Sequence, residues 1–109
     1  MQKEGCRFCA IARGDTSETL IYEDAFCVAV NDPLPRARGH YIVIPKKHFD
    51  RLDVISEADA EFIGRLMLGG MAVARQTGLQ EGAYHMVVNC GDQLGHRIQH
   101  LHLHIMGGA

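Results

Sequence analysis

The chain has 109 residues, with 11 lysines and arginines against 13 aspartates and glutamates, so its formal charge of −2 is nearly balanced. The length predicts one domain over residues 1–109, and the balanced charge argues against a nucleic-acid-binding protein, which usually presents a strongly basic face. No apolar run approaches the ~20 residues of a membrane-spanning helix, and Met1–Cys9 lacks the apolar centre of a signal peptide. We therefore expect a cytoplasmic protein that binds neither nucleic acid nor a membrane.

The first half of the sequence predicts short elements separated by turns. A short helix is expected over residues 6–13, where Gly14 and Asp15 would end it. A loop is expected over residues 32–39, because that segment contains two prolines. Three short strands are predicted, the first two joined by a hairpin turn at Asp24-Ala25: residues 20–23, 26–30 and 41–44.

One long helix is expected to begin near Ser56 and to end at Gly78. Ser56 and Asp59 resemble a capping box, and apolar side chains then recur at helical spacing. We interpret Gly69-Gly70 as a small break in this helix. Two final strands are predicted, over residues 84–89 and 100–106. The resulting fold class is α+β, an antiparallel β-sheet with one long helix on a face and a short N-terminal helix.

Three histidines alternate with apolar residues in the last predicted strand. Because successive side chains in a strand point to opposite faces, His100, His102 and His104 should share one face, with neighbouring imidazoles roughly 6–7 Å apart along the strand. An edge strand with a polar face is the alternative, although such strands normally use Thr, Lys or Glu. Aligned imidazoles can bind a metal or act on a phosphate, and the sequence has no phosphate-binding glycine loop.

Cys6 and Cys9 form a C-x-x-C pair, a spacing that brings two sulfurs to one metal ion. A thioredoxin-like redox site is the weaker interpretation, because it needs a preceding strand and only five residues precede Cys6. His48 and His100 are the best candidates for two further ligands of a closed tetrahedral zinc site. From the residues alone, two buried thiols with two surface histidines explain the pattern equally well.

The run from His100 to Met106 resembles the His-φ-His-φ-His-φ-φ motif of the histidine triad (HIT) family. The resemblance covers nearly the whole chain, because three further segments are similar to the Hint branch, the nucleoside phosphoramidases: residues 26–32, 40–48 and 86–91. It implies a HIT-like fold and a homodimer. It also implies a hydrolase that acts on purine nucleoside monophosphate derivatives.

The family resemblance implies a role for individual residues. His102 would be the nucleophile that forms a covalent nucleotidyl-histidine, His104 and His40 would bind the phosphate oxygens, and Asp32 would bind the ribose hydroxyls. Four more residues would contact the substrate, three at the base and the last at the sugar–phosphate side: Phe8, Ile11, Val30 and Asn89. A structural Zn²⁺ would be held by four ligands: Cys6, Cys9, His48 and His100.

One position departs from the family pattern. Arg97 stands where relatives carry Ser or Thr near the leaving group, and a guanidinium there could favour an anionic leaving group or simply face solvent. Hint proteins also continue past the position of Ala109 with a segment on that side. Two alternatives therefore stay open. One is hydrolysis of dinucleoside polyphosphates or adenylyl sulfate, and the other is a non-catalytic nucleotide-binding dimer.

Overall fold

A five-stranded antiparallel sheet with one helix on each face forms the fold in the computed structural model, which describes residues 6–90 and 100–108. The strands lie in the order β1-β2-β3-β5-β4. Their bounds are β1 Tyr22–Glu23, β2 Cys27–Asn31, β3 Gly39–Pro45, β4 Tyr84–Val87 and β5 Leu103–Gly107. The helices are α1 Arg7–Ala12 and α2 Ala60–Thr77. The predicted α+β class is confirmed, and no helix in the described ranges could span a bilayer.

The predicted hairpin between the first two strands is confirmed, and Asp24 explains why the chain turns there. Its Oδ1 accepts the backbone N–H groups of Phe26 at 2.7 Å and of Cys27 at 2.9 Å. An aspartate that binds the backbone two residues further on stabilises a turn locally. β1 and β2 then pair with Tyr22 opposite Ala29.

The start of α2 differs from the prediction in its capping. Ser56 Oγ accepts the N–H of Ala58 at 3.3 Å, within a short 3-10 turn over Glu57–Asp59 that precedes the helix. The carboxylate of Asp59 instead accepts a hydrogen bond from Lys47 Nζ at 3.1 Å. The predicted capping box is therefore wrong, because the lysine competes for the acidic side chain. The predicted end is confirmed, since Gly78 takes a left-handed φ of 83°.

The glycine pair in α2 lies where the helix contacts the sheet closely, and it does not form the predicted break in the helix. The helix runs without interruption through Gly69 and Gly70, and both residues face the sheet. A Cβ on Gly69 would lie 2.5 Å from Cys27 Sγ, and one on Gly70 would lie 2.8 Å from side-chain atoms of Leu103 and Met86. The missing side chains let the helix backbone approach the strands closely.

The two faces of the sheet carry different side chains. α2 covers an apolar cluster that includes Cys27, Ala29, Val43, Leu103 and Ile105. α1 covers a second cluster, made of Phe8, Ile11, Ala12, Val28, Val30, Ile42 and Ile44. Because strand residues alternate between faces, the histidines at even positions of β3 and β5 lie on the α1 face.

The last two strands are shorter than predicted. β5 begins at Leu103 rather than at residue 100, and β4 ends at Val87 rather than at residue 89. β3 ends at Pro45, which has no backbone N–H to continue the ladder. Past that point the Leu101 N–H donates to the carbonyl of Phe49 at 2.6 Å. The segment before β5 is thus held by the loop after β3 rather than by strand pairing.

Candidate active site and metal centre

Three histidines converge on the α1 face from two neighbouring strands. His40 lies near the start of β3, His104 lies in β5, and His102 immediately precedes β5. In the ladder, His104 is opposite Ile42, two pairs away from His40 and on the same face. The three residues are only 3–9% exposed, and the ring centroids of His102 and His104 are 5.0 Å apart. His102 and His104 therefore lie on one face as predicted, although His104 is the one histidine of the predicted triad strand that lies within β5.

The imidazole of His102 is held by the backbone of the same segment. Its Nδ1 lies 2.8 Å from the carbonyl oxygen of His100, which can only accept, so Nδ1 carries the hydrogen. In the neutral ring, the in-plane lone pair is then on Nε2. The ring of Phe8 packs edge-on against this imidazole, with centroids 4.9 Å apart. This is the arrangement that a neutral nucleophilic imidazole requires.

His40 and His104 form a hydrogen-bonded pair beside Asp32. The backbone N–H of Arg36 donates to His40 Nδ1 at 3.0 Å, so the hydrogen of the neutral ring sits on Nε2. That Nε2 lies 2.9 Å from His104 Nδ1 and 3.2 Å from Asp32 Oδ2. The three side chains are close enough to bind a cation by distance alone. Because His40 Nε2 is a donor, however, the trio acts as a hydrogen-bond array rather than as a set of metal ligands.

Burial keeps these two histidines neutral near pH 7. It lowers the pKa of His104 to about 4, an effect that the neighbouring His102 and His40 increase and the Asp32 carboxylate opposes. Burial also lowers the pKa of His40, again against the attraction of Asp32. Both rings can therefore donate hydrogen bonds to an anion without carrying a charge themselves.

Four predicted metal ligands meet in a second cluster, the Cys/His cluster of Cys6, Cys9, His48 and His100. His100 Nδ1 lies 3.3 Å from Cys6 Sγ, 3.4 Å from Cys9 Sγ and 3.0 Å from His48 Nδ1. The contact between Cys9 Sγ and His48 Nδ1 is 3.2 Å. A tetrahedral ion with bonds of ~2.3 Å to sulfur and ~2.0 Å to nitrogen separates its ligand atoms by roughly 3.3–3.8 Å. The cluster is therefore close to the dimensions of a tetrahedral metal site.

The outer nitrogens of the two ligand histidines are occupied by acceptors. His100 Nε2 donates to the Pro45 carbonyl at 3.1 Å, and His48 Nε2 donates to Asp50 Oδ1 at 2.7 Å. Each Nδ1 therefore points its lone pair into the cluster, and burial lowers the pKa of His100 to about 4. Sequence reasoning missed Asp50, although an acidic residue two positions after a candidate ligand is a usable signal.

The two clusters share a residue and a side-chain contact. His100 contributes its ring to the Cys/His cluster and its backbone carbonyl to His102 Nδ1. Phe8 lies between the two cysteines in sequence, and its ring contacts both His100 and His102, with centroids 5.9 and 4.9 Å apart. Any ion held by the cluster would thus have a ligand, His100, only two positions before the candidate nucleophile His102.

The remaining predicted site residues are placed less uniformly. Ile11 and Val30 are buried with Phe8 in the α1-face cluster. Asn89 is half-buried just past β4, and extending the register of β4 and β5 puts it opposite His102. Arg97 lies outside the described residues.

Comparison with known proteins gives one consistent family. The HIT domain model matches residues 13–109. An uncharacterised HIT-like protein from Synechocystis is 36% identical over 101 residues, which is 93% of this chain and 88% of that protein. A histidine triad protein from Clostridium difficile has a TM-score of 0.93 at 34% identity, covering 100% and 95% of the two chains. A HIT family hydrolase from Legionella pneumophila has a TM-score of 0.90 at 33% identity, covering 96% and 94%.

Proposed function

The chain belongs to the HIT domain family, and from that premise we propose that it hydrolyses nucleoside monophosphate derivatives through a covalent nucleotidyl-histidine on His102. One observation carries the proposal. The hydrogen bond from His102 Nδ1 to the His100 carbonyl places the hydrogen of the neutral ring on Nδ1, so Nε2 carries the lone pair that would attack phosphorus. The similarity to the Legionella protein named as a HIT family hydrolase supports hydrolysis as the class of reaction.

The proposed reaction has two displacement steps at phosphorus. In the first, His102 Nε2 forms a bond to the α-phosphorus of a purine nucleoside phosphoramidate, and the bond to the leaving amine breaks as that amine takes up a proton. In the second, water attacks the same phosphorus, releases a proton and displaces His102, so the nucleoside monophosphate leaves. The Nδ1–H stays hydrogen-bonded to the His100 carbonyl throughout. This hydrogen bond stabilises the positive charge on the substituted imidazole.

His40, His104 and Asp32 would bind the phosphate and the sugar. A His104 ring that accepts at Nδ1 carries its hydrogen on Nε2, where it can donate to a phosphate oxygen. Hydrogen bonds of this kind strengthen as negative charge grows in the transition state. The Asp32 carboxylate has lone pairs for the two ribose hydroxyls, and its side chain is 12% exposed.

Phe8, Ile11 and Val30 would form the wall that contacts a purine base. All three are buried, so a base would pack against the outer edge of their cluster. Asn89 would approach the sugar–phosphate side, since its extended register position is opposite His102. Arg97, which is outside the described residues, stands in the sequence where relatives carry Ser or Thr near the leaving group, and a guanidinium there would favour an anion such as phosphate or sulfate. Adenylyl sulfate and dinucleoside polyphosphates therefore remain the second class of candidate substrate.

We also propose that the Cys/His cluster holds a structural Zn²⁺. The set of two thiolates and two imidazoles suits zinc, and all four positions are protein ligands, as in closed structural sites. When bound, zinc would cross-link the segment around α1 to the segment before β5. The backbone carbonyl of His100 would then be held in place with its ring. This carbonyl accepts the Nδ1–H of His102 and so orients that imidazole.

A homodimer in the cytoplasm completes the proposal. Three apolar side chains are exposed on α2, Met67, Leu68 and Met71, which supports a covered face on this helix. All four cysteines lie within the described residues and none of them forms a disulfide, which suits a reducing compartment.

The central experiment follows release of amine from an adenosine phosphoramidate by purified protein. We expect turnover in the wild type, a loss of about 1,000-fold or more in His102→Ala, and wild-type rates in the matched control His85→Ala, whose side chain is exposed on β4. A nucleotidyl adduct on His102 should be trapped by denaturing the protein at alkaline pH, where a phosphorus–imidazole bond is stable. Undiminished turnover in His102→Ala would sink this mechanism.

The alternatives give different outcomes in the same assay. Turnover of adenylyl sulfate or of a dinucleoside polyphosphate, with none of the phosphoramidate, would assign the second substrate class. No turnover on any of them, together with nucleotide affinity that survives His102→Asn, would assign a non-catalytic binding protein.

A further inference from the structure

The carboxylate of Asp32 is oriented by its own loop. The Asp32 N–H donates to the His40 carbonyl at 3.0 Å, and Asp32 Oδ1 accepts the N–H of Leu34 at 2.8 Å. This turn leaves Oδ2 facing the histidine pair, 3.2 Å from His40 Nε2 and 3.7 Å from His104 Nδ1. The contact to the histidines is thus built into the fold and needs no bound substrate.

The hydrogen positions in this array follow from one backbone group. The Arg36 N–H occupies His40 Nδ1, so the hydrogen of His40 is on Nε2. His104 Nδ1 lies 2.9 Å from that N–H and cannot carry a hydrogen of its own without a clash. The hydrogen of His104 is therefore on Nε2, the atom that the proposed function aims at the phosphate. Asp32 Oδ2 is the negatively charged acceptor beside this pair.

We infer that Asp32 is a positioning residue for His40 and His104 in addition to its ribose contact, an inference that rests on the proposed function. Its Oδ2 shares the His40 Nε2–H with His104 and so adds to the Arg36 N–H in stabilising the tautomers in which both rings carry the hydrogen on Nε2. An ionised carboxylate offers about four lone-pair sites, and the loop and His40 use two of them. The other two are left for the ribose hydroxyls, so the sugar and the phosphate donors depend on the same side chain.

Asp32→Asn is a sharp test because it preserves the turn. The amide oxygen can still accept the Leu34 N–H, which directs the NH₂ group at His40 Nε2–H. Two donors then face each other, and the histidine pair loses its acceptor. Asp24→Asn is the matched control, since Asp24 also accepts backbone N–H groups in a turn but lies in the β1–β2 hairpin away from these histidines.

The kinetic test compares adenosine 5′-phosphoramidate with its 2′,3′-dideoxy analogue. A residue that binds only the ribose has no role with the dideoxy substrate, so its substitution would leave that substrate's kcat and KM unchanged. We expect instead that Asp32→Asn lowers kcat on both substrates by about 10- to 100-fold, and raises KM on the ribose substrate alone. Wild-type kinetics of Asp32→Asn on the dideoxy substrate would overturn the inference.

A second measurement does not depend on activity. Nitrogen-15 NMR of the ligand-free wild type should show both His40 and His104 protonated at Nε2 and unprotonated at Nδ1. Asp32→Asn should shift at least one ring to mixed tautomers, while Asp24→Asn should not. An unchanged pattern in Asp32→Asn would overturn the inference. If the wild type turns over neither substrate, the proposed function fails. The NMR comparison of the wild type with Asp32→Asn would still decide whether Asp32 positions the two histidines.

Discussion

The Nδ1 atoms of His48 and His100 lie 3.0 Å apart, although each ring donates its Nε2–H to a different acceptor. Neither Nδ1 can therefore donate to the other, and two lone pairs face each other across a buried cluster. The sulfur atoms of Cys6 and Cys9 add further electron density at 3.2–3.4 Å from these nitrogens. A cation between the four atoms would remove the repulsion between the two lone pairs, in agreement with the proposed structural Zn²⁺.

Asp50→Ala is expected to weaken zinc binding about 10- to 100-fold, because Asp50 orients His48 and increases the basicity of its Nδ1. Competition with a chromophoric chelator measures the affinity directly. Asp53→Ala is the control, since Asp53 pairs with Arg51 and makes no contact with the cluster. Equal zinc affinity in the wild type and Asp50→Ala would contradict this prediction.

Phe8→Leu should lower kcat several-fold while zinc stays bound, because Phe8 braces His102 but ligates nothing. Loss of its ring contacts should also reduce the free energy of unfolding by about 1–3 kcal/mol. Val28→Ala should remove a similar amount of stability from the same α1-face cluster, and it should keep the wild-type kcat because Val28 is not a predicted site residue. Equal kcat values in the two variants would show that Phe8 acts through stability alone.

The free energy of unfolding should fall as the pH drops from about 6.5 towards 4. The pKa of His104 is about 4 in the folded protein against 6.5 for a free histidine, so the unfolded chain takes up the proton first. The stability associated with a neutral His104 is complete above pH 6.5 and decreases through this window. Urea unfolding at pH 7 and pH 5 should show a smaller difference for His104→Gln, and an unchanged one for the exposed His85→Gln.

Two glycines of α2 should respond oppositely to the same substitution. Gly64→Ala should stabilise the protein by about 1 kcal/mol, because a Cβ there meets nothing within 4 Å and alanine is the better helix former. Gly69→Ala should destabilise it by about 1–3 kcal/mol, because its Cβ would overlap Cys27 Sγ. Thermal unfolding of both variants is sufficient, and a stabilising Gly69→Ala would disprove the close helix–sheet contact.

Much of the site was predictable because strand geometry is periodic. Alternation alone places His102 and His104 on one face, and the C-x-x-C pair indicates two of the metal ligands. The α+β class follows from the spacing of short apolar runs and one long amphipathic helix. These features are local, so neighbours in sequence are sufficient to predict them.

Other contacts depend on distant parts of the chain and left no periodic signal. The Arg36 N–H that sets the tautomer of His40 is a backbone group, and any residue at that position could supply it. The carboxylate of Asp59 binds Lys47 and not, as the predicted cap requires, the start of the helix. Only the folded chain shows that Lys47 lies close to Asp59. Gly69 was predicted to break the helix because the sequence does not show that Cys27 of β2 packs against this position.

The Cys/His cluster joins positions 91 and 94 residues apart, Cys9 and Cys6 with His100. A metal ion bound there would therefore close a loop that contains most of the chain. Closing so long a loop has an entropic cost, and in theory a metal ion that closes a loop stabilises the folded state most where the loop is longest. Metal capture should thus be a late event in folding. Its main kinetic effect should be to slow the detachment of β5, and with it the unfolding of the sheet.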